Sequence, residues 1–320
     1  MIYEIENEYM KVAVDVIGAE LKSVLRKDGN IEHLWQGDEK YWTSRSPILF
    51  PIVGRLFNGR YSFDGKEYEM NPHGLLRKSQ FTLVDKTCKK MTFAYSANDD
   101  TFARYPFKFV FTVEYSLCKN SLSVTYSVKN VGKEKMYFGL GGHPGFNVPF
   151  DGGKFEDYYI ETATKVDPKR LTLSENYLMS GNSVDYPLEN GKVMRLRHDM
   201  FDNDAVILEC AGNEVTLKSD KTKKSVTVKF PNMPFVGFWH AVKTDAPYVC
   251  IEPWENLPSV DGKVEKLTDK RNIGSLGAGE TYNSTINITR NWINLTRASR
   301  IFGPPVFSQN YGVTIYYKFS

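Results

Sequence analysis

The sequence predicts an all-β fold with few, short helices. Three observations carry this. Aromatic residues make up 14% of the 320-residue chain, and they recur with β-branched residues in short alternating runs. Those runs are separated by Gly, Asn, Asp and Lys, the composition of tight turns. No window of a dozen residues keeps an apolar stripe of helical period.

Each predicted element follows from that alternation. The runs KVAVDV (11–16), KFVFTVEYSL (108–117), SLSVTYSVKN (121–130), NEVTLKSD (213–220), KSVTVKF (224–230) and STINITRNW (284–292) read as strands. In SLSVTYSVKN, Leu122, Val124, Tyr126 and Val128 fall on one face, and Ser121, Ser123, Thr125, Ser127 and Lys129 on the other. This is a half-buried antiparallel strand. The short polar link CKN joins it to KFVFTVEYSL, which predicts a hairpin. NDDTFARYPF (98–107) holds one helical turn, with Asp99 or Asp100 as its cap. No repeat, low-complexity linker or charge block divides residues 1–292, so they are expected to form one domain. The last 28 residues (293–320) lack the charged surface pattern and carry a Pro-Pro break; they read as an extension, an added strand or a non-native continuation.

Composition excludes several classes. Forty-one Lys and Arg against 38 Asp and Glu give +3, far from the concentrated positive field that nucleic-acid binding requires. The N-terminus has acidic residues where a signal peptide needs a basic and then an apolar stretch, and no run approaches a membrane span, so a cytoplasmic protein is expected. Cys88, Cys118, Cys210 and Cys250 are far apart, with no CxxC and no His at ligand spacing, and read as reduced, buried thiols; no metal site is expected. Phosphate loops, HExxH, GxSxG and dinucleotide fingerprints are absent, and no cofactor is expected.

Five histidines are few enough to weigh singly. His33, His198 and His240 adjoin strand-like runs and read as structural or surface imidazoles. His73 in MNPHGLLR and His143 in GLGGHPGFNVPF sit among Gly and Pro, in turn-forming sequence that a rigid sheet can aim into a cleft. Pro144 restricts His143 to an extended backbone. Arg55, in the apolar and proline-broken stretch 47–61, is expected to bury its guanidinium against a carboxylate or sugar hydroxyls. In YVCIEPWENLPS (248–259) an apolar strand delivers Glu252 to its end, before Pro253, with Trp254 beside it; Glu255 is the exposed alternative in the same loop. An apolar neighbourhood raises a carboxylate's pKa toward the range of a general base. Asp202 and Asp204 precede the apolar run of 205–208, where either could cap a turn.

Taken in order, GRLFNGRY (54–61), NPHGLLR (71–77), GGHPGFN (141–147), FDNDAVIL (201–208), FWHA (238–241), CIEPWENLP (250–258) and LGAGET (276–281) resemble the aldose 1-epimerase (galactose mutarotase) family, and more closely its LacX-like branch. The resemblance covers residues 1–292. It implies a large antiparallel β-sandwich with an open cleft for one monosaccharide or sugar phosphate, and the interconversion of the sugar's α and β anomers. It also implies roles: His143 as general acid, Glu252 as general base, Arg55 and His73 as sugar ligands, and Asp204 as the sugar-binding Asp, with Asp202 two residues away. Trp239 and Trp254 supply apolar faces for the sugar. The better-known galactose mutarotases differ around the catalytic Glu and at FWHA, which leaves the sugar open; edge strands that can pair or be covered leave the oligomeric state open. Two other readings share the cleft: a carbohydrate-binding or regulatory protein without turnover, and a glycoside-processing enzyme using Asp204 with Glu252 as its acidic pair. The acid/base reading is expected to place Glu252 and His143 on opposite sides of one pocket.

Overall fold

A computed structural model of the chain describes residues 1–292; the extension expected at 293–320 lies outside the described residues. Two large antiparallel sheets dominate, one of nine strands and one of eight, with a four-stranded sheet formed by the first 32 residues against them. The longest helix among the described residues is the six-residue Asp99–Arg104. Its cap is Asn98, not Asp99 or Asp100: the Asn98 side chain accepts from Thr101 N–H at 3.0 Å, and the Thr101 hydroxyl accepts from Asn98 N–H at 2.8 Å. No helix among the described residues is long and apolar enough to cross a membrane.

The hairpin expected from alternation is present as Phe109–Cys118 and Ser121–Asn130, paired without a break from Phe109 opposite Asn130 to Cys118 opposite Ser121. Leu122, Val124, Tyr126 and Val128 are buried. On the opposite face, hydroxyls and amides form a ladder with the last strand, Thr281–Trp292: Ser121 with Thr289 at 2.9 Å, Ser123 with Asn287 at 2.7 Å, Thr125 with Thr285 at 3.0 Å. Such cross-strand pairs fix the register, because a one-residue slip would turn the apolar set to water.

The main core fills the space between the large sheets. From the eight-stranded sheet it receives Val206, Leu208, Val236, Phe238, Val249 and Ile251. Because strand side chains alternate, the intervening residues must face the other way. Ala205, Ile207, Phe235 and Trp254 do so, forming a second, smaller cluster on the outer face. Tyr248 and Cys250 join Trp35 in a third. This outer face carries the cleft.

Two expectations fail here. Cys88, Cys118 and Cys210 are exposed, and only Cys250 is buried; the first three lie at strand ends and turns, where no second layer covers them. The strand carrying Glu252 also does not stop at that residue. It runs Tyr248–Trp254, buried throughout, with Pro253 inside it. The neighbouring chain explains how a central strand accepts a proline: it is itself interrupted there, pairing only through Gly141–Gly142 and again through Gly145–Asn147.

Candidate active site

The segment GGHPGFN forms an interrupted strand, not the turn its composition suggests. Gly141 lies opposite Trp254 and Gly145 opposite Cys250, so the register is the same on both sides of the break. That register sets His143 directly across from Glu252. The two glycines are needed because the segment is squeezed from both faces: a Cβ on Gly141 would lie 2.9 Å from the Trp254 ring, and one on Gly142 would lie 2.6 Å from Ile286.

His143 Nε2 and Glu252 Oε2 are therefore neighbours, 3.2 Å apart. They do not face each other across a pocket, as expected. Side-by-side placement suits anomer exchange better, because the anomeric hydroxyl and the ring oxygen are both bonded to C1 and a base and an acid serving them must be adjacent. Both side chains are almost wholly removed from water, at 8% and 2% exposure. Burial pushes the Glu252 carboxyl well above its usual range, and the negative charge of Asp204 pushes it further. The indole nitrogen of Trp254 has no full hydrogen-bond partner, though it lies close enough to the carboxylate to favour its charged form slightly. Burial holds His143 well below an ordinary imidazole, helped by His73 and by the Arg77 charge. The imidazole plane is set by aromatic packing: Trp42 stacks on it at 4.8 Å and Trp239 meets it edge-on at 5.7 Å, while its Nδ1 has no partner.

Around this pair opens a cleft of roughly 290 Å³. Arg55, His73, Asp204, Trp239 and Trp254 all line it, as does Arg77. Asp202 lies elsewhere, in a separate surface depression with His198. Asp204 has a left-handed backbone, φ 70°, and this aims it inward. Its carboxyl is raised by burial, an effect partly offset by the Arg55 charge and the Trp239 indole. Arg55 is exposed on the cleft wall, 5.5 Å from the Tyr177 ring, and not buried as the apolar stretch suggested. The reason is local: Gly54 has φ 67° and turns the chain, so that the apolar neighbours point inward while the guanidinium points out.

His73 also has a left-handed backbone, φ 66°. It is tied to Gly54 twice: its N–H donates to Gly54 O at 2.8 Å, and Gly54 N–H donates to His73 Nδ1 at 3.2 Å. An accepting Nδ1 leaves the proton on Nε2. Burial and the charges of Arg77 and Arg55 lower the imidazole to about 3, so it stays neutral, a donor through Nε2. Gly74 holds this loop against Phe50, where an added Cβ would lie 2.1 Å from the Phe50 carbonyl oxygen. Gly74→Ala is therefore expected to destabilise the fold by about 3 kcal/mol, the sum of a left-handed alanine and a backbone clash. Urea denaturation of the variant checks this; a midpoint equal to that of the parent would contradict the packing described.

The remaining candidates divide as their strands alternate. His240, next to Trp239, points to the opposite face, where it is fully buried and meets His198 at 3.0 Å. His33 is buried beside Phe150, their rings 5.0 Å apart. Glu255, expected to be exposed, is buried and accepts from the Tyr282 hydroxyl at 2.9 Å, outside the cleft; burial raises it to about 7. Trp254 is only 3% exposed, packed on Gly141 and Gly237, so the half-buried Trp239 presents the larger face to a ligand. Sequence reasoning missed Trp42, Tyr177 and Arg77. Trp42 and Tyr177 carry no local signal, whereas Arg77 closes the NPHGLLR motif that drew attention to His73.

His143, Glu252 and Cys250 offer donor atoms within 4.8 Å of one another. A metal ion there would have to break the 3.2 Å contact and deprotonate a thiol that burial holds protonated. The donor set fits a proton-sharing pair better than a coordination sphere.

The family profile described as aldose 1-epimerase matches residues 1–289. The chain is 32% identical to the plasmid-encoded protein LacX of Lactococcus lactis subsp. lactis, over 90% of this chain and 99% of that protein. A galactose mutarotase related enzyme from Lactobacillus acidophilus superposes with a TM-score of 0.87 at 37% identity, covering 92% of this chain and 98% of the other. A galactose mutarotase-like protein from Lactobacillus casei gives 0.86 at 30% identity, covering 91% and 100%.

Proposed function

This chain belongs to the aldose 1-epimerase family, and from that premise we propose that Glu252 and His143 are the general base and general acid with which it interconverts the anomers of an aldose. The observation that carries the residue assignment is their 3.2 Å contact at the cleft floor. Glu252 takes the proton of the anomeric hydroxyl while His143 gives one to the ring oxygen. The C1–O5 bond breaks as the C1–O1 double bond forms. Rotation about C1–C2 turns the other face of the aldehyde to O5, and the same two groups return the protons as the ring closes. His73, as a neutral Nε2–H donor, Arg55 and Asp204 hold the sugar hydroxyls, and Trp239 packs on the sugar's C–H face.

The low-dielectric setting favours the ring-opening half of this sequence. Before ring opening the pair is a carboxylate and an imidazolium; afterwards it is a carboxylic acid and a neutral imidazole. Burial, which raises Glu252 and lowers His143, stabilises the second state relative to the first. The direct contact lets the shared proton move between Oε2 and Nε2, so the charged form that opens the ring is drawn from the neutral pair, and ring closure returns the pair to the form in which it began.

Polarimetry tests the reading. Optical rotation of a freshly dissolved pure anomer should relax faster with the protein than in buffer, without release of reducing sugar from glycosides. Binding without faster relaxation would instead favour a non-catalytic sugar-binding protein. The pH profile gives a second check. The pair works with one proton between its members, and this state is lost by protonating His143 or by deprotonating Glu252. Since the first is lowered and the second raised, kcat/KM is expected to be flat through pH 6.5, the ordinary histidine value. A single inflection at that pH would contradict the arrangement.

A further inference from the structure

Three hairpin tips meet at one end of the molecule, and two of them carry exposed thiols. The strand Phe109–Cys118 runs antiparallel to Lys90–Ser96, with Ser116 opposite Lys90. The register holds one step further, since Leu117 N–H donates to Lys89 O at 2.8 Å. The next step sets Cys118 against Cys88. It follows a hydrogen-bonded pair, so it is of the other kind, in which Cα atoms lie about 4.5 Å apart and side chains come closest. A disulfide spans about 4.4–6.8 Å between Cα atoms, so it can bridge such a pair.

Orientation agrees with the register. Leu117 is buried, so Ser116 and Cys118 point to the opposite, wet face. Cys88 stands two residues before Lys90, which pairs with Glu114 on that same face. Both cysteines are exposed, free thiols. Their tips are held in place. Thr87 N–H donates to Lys90 O at 2.7 Å, closing the turn that contains Cys88. Adjacent residues of the first hairpin grip both tips: Glu6 N–H donates to Cys88 O at 2.8 Å, and the Asn7 side chain donates to Lys119 O at 2.8 Å. The third exposed thiol, Cys210, follows the strand Val206–Glu209 of the other large sheet.

We propose that Cys88 and Cys118 form a redox-active pair, oxidised to a disulfide by exchange with a small anionic disulfide such as oxidised glutathione. Lys89 and Lys119 follow the two cysteines directly in the chain, and their charge suits an anionic reagent. One protein thiolate attacks the reagent's S–S bond, forming a mixed disulfide and releasing one glutathione thiolate. The second protein thiolate attacks the protein-side sulfur, closing the Cys88–Cys118 bond and releasing the other glutathione. Two electrons pass from the protein to the reagent, and the two thiol protons end on the released glutathiones. Neither cysteine lines the cleft, so the inference stands apart from the mutarotase reading.

The test incubates the folded protein with oxidised glutathione, quenches with acid, and reads intact mass and peptide maps without reductant. The parent should lose both thiols as one Cys88–Cys118 link with no glutathione at either position, while Cys210 takes up at most a mixed disulfide. Cys88→Ser and Cys118→Ser should each retain glutathione on the remaining cysteine of the pair. Both positions are exposed, so serine leaves the fold intact. The linked parent should melt about 5 °C above its reduced form, because the crosslink restricts the unfolded chain, and the serine variants should show no such difference. Glutathione retained on both Cys88 and Cys118, both left as thiols while Cys210 reacts, or a link from either to Cys210 overturns the inference. So does a linked form that melts no higher than the reduced one, since the sulfurs would then have met only by distorting the tips.

Discussion

Replacing Glu252 by Gln should lower catalysed mutarotation by about 10²–10⁴-fold, toward the upper end, because His143 alone cannot both take the proton of O1 and give one to O5. The thiol of Cys250 is held protonated by burial, and Asp204 is placed to hold the sugar. Gln keeps the shape and can still hydrogen-bond His143, so the fold should remain intact. The stability effect has a definite sign. A carboxyl whose folded pKa is raised contributes stability that is fully present below its unfolded value of about 4.5 and is lost as pH rises toward the folded value. Gln abolishes that dependence, so Glu252→Gln should match or exceed the parent in thermal stability above pH 4.5. A variant that is inactive because it has unfolded would show the opposite, and a thermal melt separates the two outcomes.

His143→Asn is the second large effect. Without an acid at the ring oxygen, C1–O5 cleavage must develop an alkoxide, and kcat should fall about a hundredfold, with little change in KM. The loss should be smaller than that at Glu252, because water entering the space left by the imidazole can protonate the ring oxygen, if poorly. The linkage runs the other way here. A histidine with a lowered folded pKa costs stability as pH falls below its unfolded value of about 6.5. The Asn variant should therefore lose less stability than the parent between pH 6.5 and 5, even though it forgoes the Trp42 stack. Parallel kcat, KM and thermal melts over that range check both statements.

Strands with one wet face were legible in the sequence, and those with two covered faces were not. Phe109–Cys118 and Ser121–Asn130 alternate because their outer face meets water. Tyr248–Trp254 is buried on both faces, so its end was read from Pro253, the one residue that looked like a stop. The structure tolerates that proline because the adjacent strand breaks at His143 and Pro144, and no local pattern reports on a neighbour a hundred residues away. The same limit applies to the site. His73, His143, Arg55, Asp204 and Glu252 stood out through Gly and Pro context or through the ordered motifs, and the cleft gathers all five. Trp42, which sets the plane of the imidazole, could not be found, since its role exists only across the fold. Local apolarity also misjudged Arg55 and Glu255, because one left-handed glycine turned the first outward and a distant tyrosine drew the second inward.

The central claim is that one proton, shared by His143 and Glu252, carries anomer exchange. Magnetisation-exchange NMR on an aldose labelled with carbon-13 at C1 reads that step at equilibrium, with no net reaction needed. With a sugar of the class the protein turns over, the parent should give exchange cross-peaks between the α and β C1 resonances well above the buffer rate. Glu252→Gln and the double variant with His143→Asn should both return to the buffer rate, with the second substitution adding little to the first. Exchange that persists in folded Glu252→Gln, or losses that simply multiply in the double variant, would contradict the assignment.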